Sequence, residues 1–181
     1  MIRETHIRPA RRDDARDIGR IHVASWRTVY ASILPPDFLA QMRSDQVARA
    51  VRQYLTAPWN VYLVAEREQG TVGYVAAGPA RDRDPIYQAE LYELYLLPEV
   101  QRQGLGRELL TRTAGLLYQS GYVTLQTWAL SRNPNRRFYE KCGGLLLRTR
   151  PISFAGVTLQ AVAYGWIDIT MAMASRSSEE G

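Results

Sequence analysis

One cysteine, two histidines and one lysine are all this 181-residue chain contains of those residues, and each scarcity closes off some chemistry. With Cys142 alone there is no internal disulfide, and His6 and His22 have no second ligand candidate near them, so no metal site is expected. There is no apolar run of the ~18–20 residues that a membrane span needs, so no membrane partner is expected. The opening MIRETHIRPARRDDARD carries charge where a secretion signal would be apolar, which points to a cytoplasmic protein. The net charge is +5, yet of 23 basic residues only Lys141 is lysine, and the arginines are scattered rather than blocked. Such a balance can serve nucleic acid, acidic lipid or a phosphorylated cofactor, and the scatter argues against the first, so no nucleic-acid partner is expected.

What is present is an ordinary globular composition, 46% hydrophobic and 23% charged, in a length that suits one domain over residues 1–170 with a flexible polar tail at 171–181. Strands are expected at His6–Arg8, Val61–Ala65, Thr71–Ala77, Ala89–Leu97, Val123–Ala129, Leu145–Arg148 and Leu159–Ile167. Apolar spacing predicts a helix from Asp13–Asp14 to about Val29, a second helical region from about Asp37 to Leu55, and a third from about Gly104 to Ser120. A short helix over Pro134–Cys142 has Asn133 suited to its N-cap and Gly143 just past its end. The late hairpin turns near Ala155-Gly156. A meander followed by strand–helix–strand units makes an α/β (α+β) fold with a mixed sheet.

The stretch QRQGLGR, Gln101–Arg107, lies between a strand and a helix, where the first helical N–H groups lack intrahelical partners and the dipole favours an anion. It is not a P-loop, which needs Lys-Ser/Thr after its second Gly, nor a dinucleotide fingerprint, because Leu109 stands where a third Gly or Ala belongs. Read on its own, it is either an anion cradle or a tight turn.

The segment AELYELYLLPEVQRQGLGRELL resembles the central motif of the GNAT superfamily of N-acetyltransferases, whose Gln/Arg-x-x-Gly-x-Gly/Ala signature is matched by Gln101-Arg102-Gln103-Gly104-Leu105-Gly106. NPNRRFYEKCGG is similar to the family's second acyl-CoA motif, and WRTVYASILPPDFL and VAYGWID look like features of a bacterial branch that acetylates small-molecule or protein amines. Two departures are an approach to the Tyr139 helix that is one residue short and Gly144 in place of the usual Phe.

The resemblance implies a mostly antiparallel sheet of six to seven strands, bulged and splayed at an acyl-CoA slot and flanked by four helices. It implies acetyl-CoA as donor and a primary amine, small-molecule or peptide, as acceptor. The diphosphate would rest on the backbone of Gln103, Gly104, Leu105, Gly106 and Arg107, with Gln101 and Arg102 leading into the loop and Asn133 within reach. The pantetheine arm would pair with the backbone of Leu96 and Leu97 as an added strand. Tyr139 would protonate the leaving sulfur, and Glu90, 14 residues before Gly104, would be the base. Strict alternation puts Glu90, Tyr92, Leu94 and Leu96 on one face of their strand and Glu93 on the other. The acceptor would enter between the first two helices and the late hairpin, with Trp26, Tyr30 and Tyr92 as lining candidates and Asp37, Asp82, Asp84 and Tyr164 behind them. The late hairpin could pair with a second chain to form a homodimer. Two other classes remain at this point: a catalytically silent acyl-CoA-binding module and an arginine-driven nucleic-acid binder.

Overall fold

The computed structural model describes residues 4–82, 84–154 and 156–174. A seven-stranded sheet runs in the order β1-β2-β3-β4-β5-β7-β6. Its strands are β1 (His6–Pro9), β2 (Val61–Arg67), β3 (Gly70–Pro79), β4 (Ala89–Leu96), β5 (Leu125–Leu130), β6 (Leu145–Phe154) and β7 (Val157–Trp166). Every neighbouring pair is antiparallel except β4 with β5. That parallel pair needs a crossover, and α4 (Leu105–Gln119) supplies it.

Helix α4 lays Leu105, Leu109, Leu110, Ala114 and Leu117 into a core with Leu63, Val75, Leu91 and Leu125 of the sheet. On the opposite face, α1 (Ala15–Val29) and α3 (Ser44–Tyr54) close over Val64 and Tyr74 with Ile18, Ile21, Ala48 and Val51. These two helices come together at Gly19, where a Cβ would stand 2.3 Å from the Ser44 carbonyl oxygen, so only glycine fits the crossing.

The structure departs from the sequence-based elements in four places. The helical region expected over 37–55 is two helices, α2 (Pro36–Gln41) and α3, so five helices flank the sheet rather than four. Arg27 of α1 explains the break: its guanidinium donates to the carbonyls of Leu39, Ala40 and Met42, satisfying the end of α2 from outside. The helix expected over 134–142 is only α5 (Arg137–Lys141), and its N-cap is Arg136 rather than Asn133. Asn133 instead turns the chain before it, its Oδ1 accepting from the Asn135 N–H at 2.9 Å. Strands β6 and β7 extend further than expected, to Phe154 and from Val157; of the expected turn residues, Ala155 lies outside the described residues. Finally, the packed chain outlasts residue 170. A 3-10 turn over Ile169–Ala172 buries Ile169 and Ala172, and Thr111 of α4 donates to the Ala172 carbonyl. Residues 175–181 of the expected tail lie outside the described residues.

The start of α1 is pinned to the sheet by charge. Arg8 of β1 donates to both oxygens of Asp14 at 2.7 and 2.9 Å and to Glu66 of β2 at 3.0 Å. The Arg8 hydrogen bonds outweigh burial and hold the Asp14 carboxyl below its ordinary value. A depressed carboxylate stabilises the fold above its unfolded pKa, and that stabilisation is lost as pH falls through the folded value. Asp14→Asn should therefore lower unfolding stability at pH 7 by about 1–3 kcal/mol. It should also flatten the acid limb of the stability curve below about pH 4, as read from urea midpoints across pH.

Candidate functional site

Strand β4 changes partners along its length. It pairs with β3 as far as Leu96, opposite Gly73. With β5 it pairs only at Ala89, Glu90 and Leu91. The Thr127 hydroxyl of β5 donates to the Leu91 carbonyl at 2.9 Å and closes the ladder where the strands part. Beyond that point residues 93–96 turn one backbone edge toward β3 and the other into open space. Leu97 donates its N–H to Val72 on the β3 side. By alternation the N–H groups of Leu94 and Leu96 face the gap. The N–H of Leu97, expected to pair with a donor arm, is thus already committed to β3. The Leu96 carbonyl accepts from the Gln101 side chain at 2.9 Å, which ties the loop to the strand end.

A β-bulge sits at the same place. Ala76 opposes Glu93 and Ala77 opposes Leu91, leaving Tyr92 as the extra residue. The expected alternation holds from Glu93 to Leu96 and breaks only across the bulge, which sets Leu91 on the same face as Leu94 and Leu96. Leu91, Leu94 and Leu96 all face the α4 core. Glu93 instead faces Tyr74, on the α1 side, and Tyr95 packs into that same cluster.

The gap widens into a cavity of about 530 Å³ between β4, β5, α1, α5 and the N-terminus of α4. At the α4 end, Gly104 adopts φ +84° and Arg102 φ +60°, and no side chain caps the helix. The first amides of α4 are left facing the cavity mouth, with a conformation at 104 that favours glycine. Gln101, Arg102, Gly104, Gly106 and Arg107 all line this end. Arg107 also donates to the Lys141 carbonyl at 2.6 Å, fastening α5 to α4. The side chains of Gln103 and Leu105 turn elsewhere: Gln103 joins Arg67 to the Glu99 carbonyl, and Leu105 is core.

Tyr139 lines the middle of the cavity, its ring 5.4 Å from that of Phe138 and 5.7 Å from that of Tyr164. Burial pushes its pKa well up, so the phenol keeps its proton. Glu93 lines the cavity as well. Its Oε2 accepts from the Tyr74 hydroxyl at 2.6 Å, and the Tyr74 oxygen lies 2.8 Å from His22 Nδ1. Burial would raise the Glu93 pKa, but the His22 contact, the Tyr74 hydrogen bond and the charge of Arg81 together hold it below its ordinary value. Glu90 is placed differently. It is 1% exposed and does not line the cavity, and both of its oxygens are held by Arg81, through the backbone N–H and the guanidinium.

Of the acceptor-side candidates, Tyr30 and Tyr92 line the cavity, and Asn133 does too, donating to the Tyr30 hydroxyl at 3.3 Å. Trp26 stands behind the wall, edge-on to Tyr30 at 4.9 Å and stacked on His22 at 5.3 Å. Asp82 and Asp84 are taken up by Trp128, Arg148 and Arg150. Tyr164 is fully buried, bonded to Arg136 and Glu140. Asp37 is exposed on α2. Sequence reasoning held Glu93 as a rival to Glu90 only if the strand register was misjudged; it did not name the supports His22 and Tyr74, nor Trp128, which lines the cavity. The helical spacing of His22, Ser25, Trp26 and Val29 on α1 was the available signal for that wall.

Comparison with known proteins gives a consistent result. Residues 58–143 match the model of the acetyltransferase (GNAT) domain. The uncharacterized N-acetyltransferase YuaI of Bacillus subtilis (strain 168) is 35% identical over 165 residues, 91% of this chain and 94% of that protein. The fold is shared with the PaiA N-acetyltransferase of Thermoplasma acidophilum, solved in complex with coenzyme A. The TM-score is 0.68 at 17% identity, over 87% of this chain and 98% of that one. It is shared equally with yncA of Salmonella typhimurium, solved with its cofactor acetyl-CoA. Here the TM-score is 0.69 at 21% identity, over 98% and 99% of the two chains.

The fork between β4 and β5 makes its own prediction. Thr127→Val keeps the shape of the side chain and strips the Leu91 carbonyl of its hydroxyl partner at a buried position. The expected loss is about 1–3 kcal/mol of stability in denaturant unfolding.

Proposed function

The chain belongs to the GNAT superfamily of acetyltransferases, and on that basis we propose that it transfers an acetyl group from acetyl-CoA to a primary amine, with both substrates bound at once. The observation that carries the reading is the one-sided strand: residues 93–96 are paired with β3 but face an open cavity where β5 has turned away. An extended chain of amides can complete such an edge.

The residues present fit the donor. Its two-amide arm suits the free backbone edge at Leu94 and Leu96. Its diphosphate suits the uncapped amides at the start of α4, where helix dipole and N–H groups favour an anion. Arg102, Arg107, Arg137 and Lys141 line the same end and supply positive charge for the phosphates. The donor brings an acetyl thioester, activated for attack by nitrogen.

The chain's own task is to manage protons. An alkyl ammonium of pKa about 10.4 is neutral in fewer than about one molecule in a thousand at pH 7. We assign the role of holding and deprotonating it to Glu93 rather than to Glu90, whose oxygens are both occupied by Arg81. Glu93 is ionised at neutral pH, and Tyr74 fixes it through Oε2. It would hold the incoming ammonium and pass its first proton to solvent. Once the C–N bond begins to form, the nitrogen becomes far more acidic, and Glu93 Oε1 would take the second proton. As the C–S bond breaks, Tyr139 would give its phenolic proton to the sulfur and recover one from solvent. Glu93 then returns its proton to solvent, so that ammonium and thioester become amide and thiol with one net proton released.

We place this enzyme in the cytoplasm. The outer edge of β6, where Leu145 and Leu146 are exposed, is the face we assign to pairing in a homodimer.

Three measurements test the proposal. Tyr139→Phe should lower kcat about a hundredfold while leaving acetyl-CoA affinity in calorimetry unchanged. Glu93→Gln should lower kcat by a similar factor, whereas Glu90→Gln should act mainly on stability. Because Glu93 is held below its ordinary value near 4.5, its own protonation should not limit wild-type kcat/KM above that pH. A wild-type chain that takes up acetyl-CoA but releases no thiol with any amine would instead be a silent acyl-CoA-binding module.

A further inference from the structure

We propose that the acceptor is a small monoamine, a single primary ammonium on a compact apolar body, rather than a polyamine, an aminoglycoside or a peptide lysine. The inference rests on the acetyl-transfer reading above and goes beyond it by naming the substrate class.

The cavity is divided by charge. Its basic side chains, Arg102, Arg107, Arg137 and Lys141, lie on the loop, α4 and α5. At the other end the wall is made of four rings, Tyr30, Tyr92, Tyr95 and Trp128, and among the described residues Glu93 is the one acid that lines it. A single carboxylate set among aromatic surfaces matches one ammonium attached to an apolar group. A polycation would leave its remaining charges stripped of water with no anion to meet them.

The acids just outside cannot make up the deficit, because the chain neutralises each of them itself. Glu90 is closed by Arg81. Asp84 meets Arg148 at 2.8 Å. Asp82 accepts from Trp128 Nε1 at 2.9 Å and from Arg150 at 3.1 Å. The same arginines cover the outer rings of the wall, Arg81 lying 4.6 Å from the centroid of Tyr92 and Arg150 4.0 Å from that of Trp128. An approaching polycation therefore meets closed ion pairs around the acceptor end, with no uncompensated carboxylate to hold its further charges. A monoamine gives up one hydration shell and finds one carboxylate.

The test is thiol release from acetyl-CoA by the wild-type chain with 2-phenylethylamine, spermidine, kanamycin and a lysine-containing decapeptide, alongside calorimetry of acetyl-CoA. The expected result is a kcat/KM for 2-phenylethylamine at least tenfold above each of the others. Preference for spermidine, kanamycin or the peptide overturns the inference. So does binding of acetyl-CoA without turnover of 2-phenylethylamine, which leaves the assignment of the donor standing. Failure to bind acetyl-CoA at all removes the acetyl-transfer reading and this one together. A second arm uses the double variant Arg148→Ala/Arg150→Ala, which takes both guanidinium groups away from Asp82 and the one beside Asp84. The ratio of kcat/KM for spermidine to that for 2-phenylethylamine should rise several-fold, and an unchanged ratio overturns the claim that self-neutralised acids exclude polycations.

Discussion

The site depends on a ladder that stops early. β4 and β5 share only the pairs from Ala89 to Leu91, and Thr127 finishes the last of them with its hydroxyl. In the interior of a sheet a strand's backbone groups must be paired, because leaving them dry and unmet costs about 1–3 kcal/mol each. Here the cost is met in three ways. Gln101 satisfies the Leu96 carbonyl, Thr127 satisfies that of Leu91, and the remaining edge opens onto a cavity that water or a ligand can enter. The break in the sheet is therefore where we place the recognition surface.

The bulge at Tyr92 belongs to the same design. One inserted residue rotates the strand so that Glu93 turns from the α4 face toward α1, where Tyr74 and His22 await it. It also leaves Glu90 facing the Arg81 loop, closed off as a structural pair. Two carboxylates three residues apart thus have opposite surroundings. One is sealed by a guanidinium, and the other is fixed through a single oxygen at the edge of the cavity. A carboxylate bonded at one oxygen leaves the second available, which is what a proton acceptor requires.

How much of this was legible depended on how local each feature is. The loop from Gln101 to Arg107, the crossover helix behind it and the ring of Tyr139 are set by short-range signals: glycine, periodicity, and neighbouring aromatics on a short helix. All of them appear close to where the sequence placed them. The bulge leaves no such mark, since a strand of alternating residues reads the same with or without it; Glu90 was favoured over Glu93 by the family offset of 14 residues before Gly104, with alternation only in support. The break between α2 and α3 was hidden because its cause, Arg27, lies on another helix. Asn133 carried a true turn signal, but the turn precedes α5 instead of capping it. Ala172 was hidden inside a tail whose composition looks polar, although it packs beneath α4.

The shortness of the β4–β5 ladder has a mechanical side. The sheet consists of two leaves, β1 to β4 and β5 to β7, and three residue pairs form the sheet's spine between them. Helix α4 bridges the leaves from behind, so flexing at that spine would change the width of the gap without unzipping either leaf. A donor lodged in the gap would then act as a cross-brace, stiffening the molecule along the line where its own backbone is least stitched.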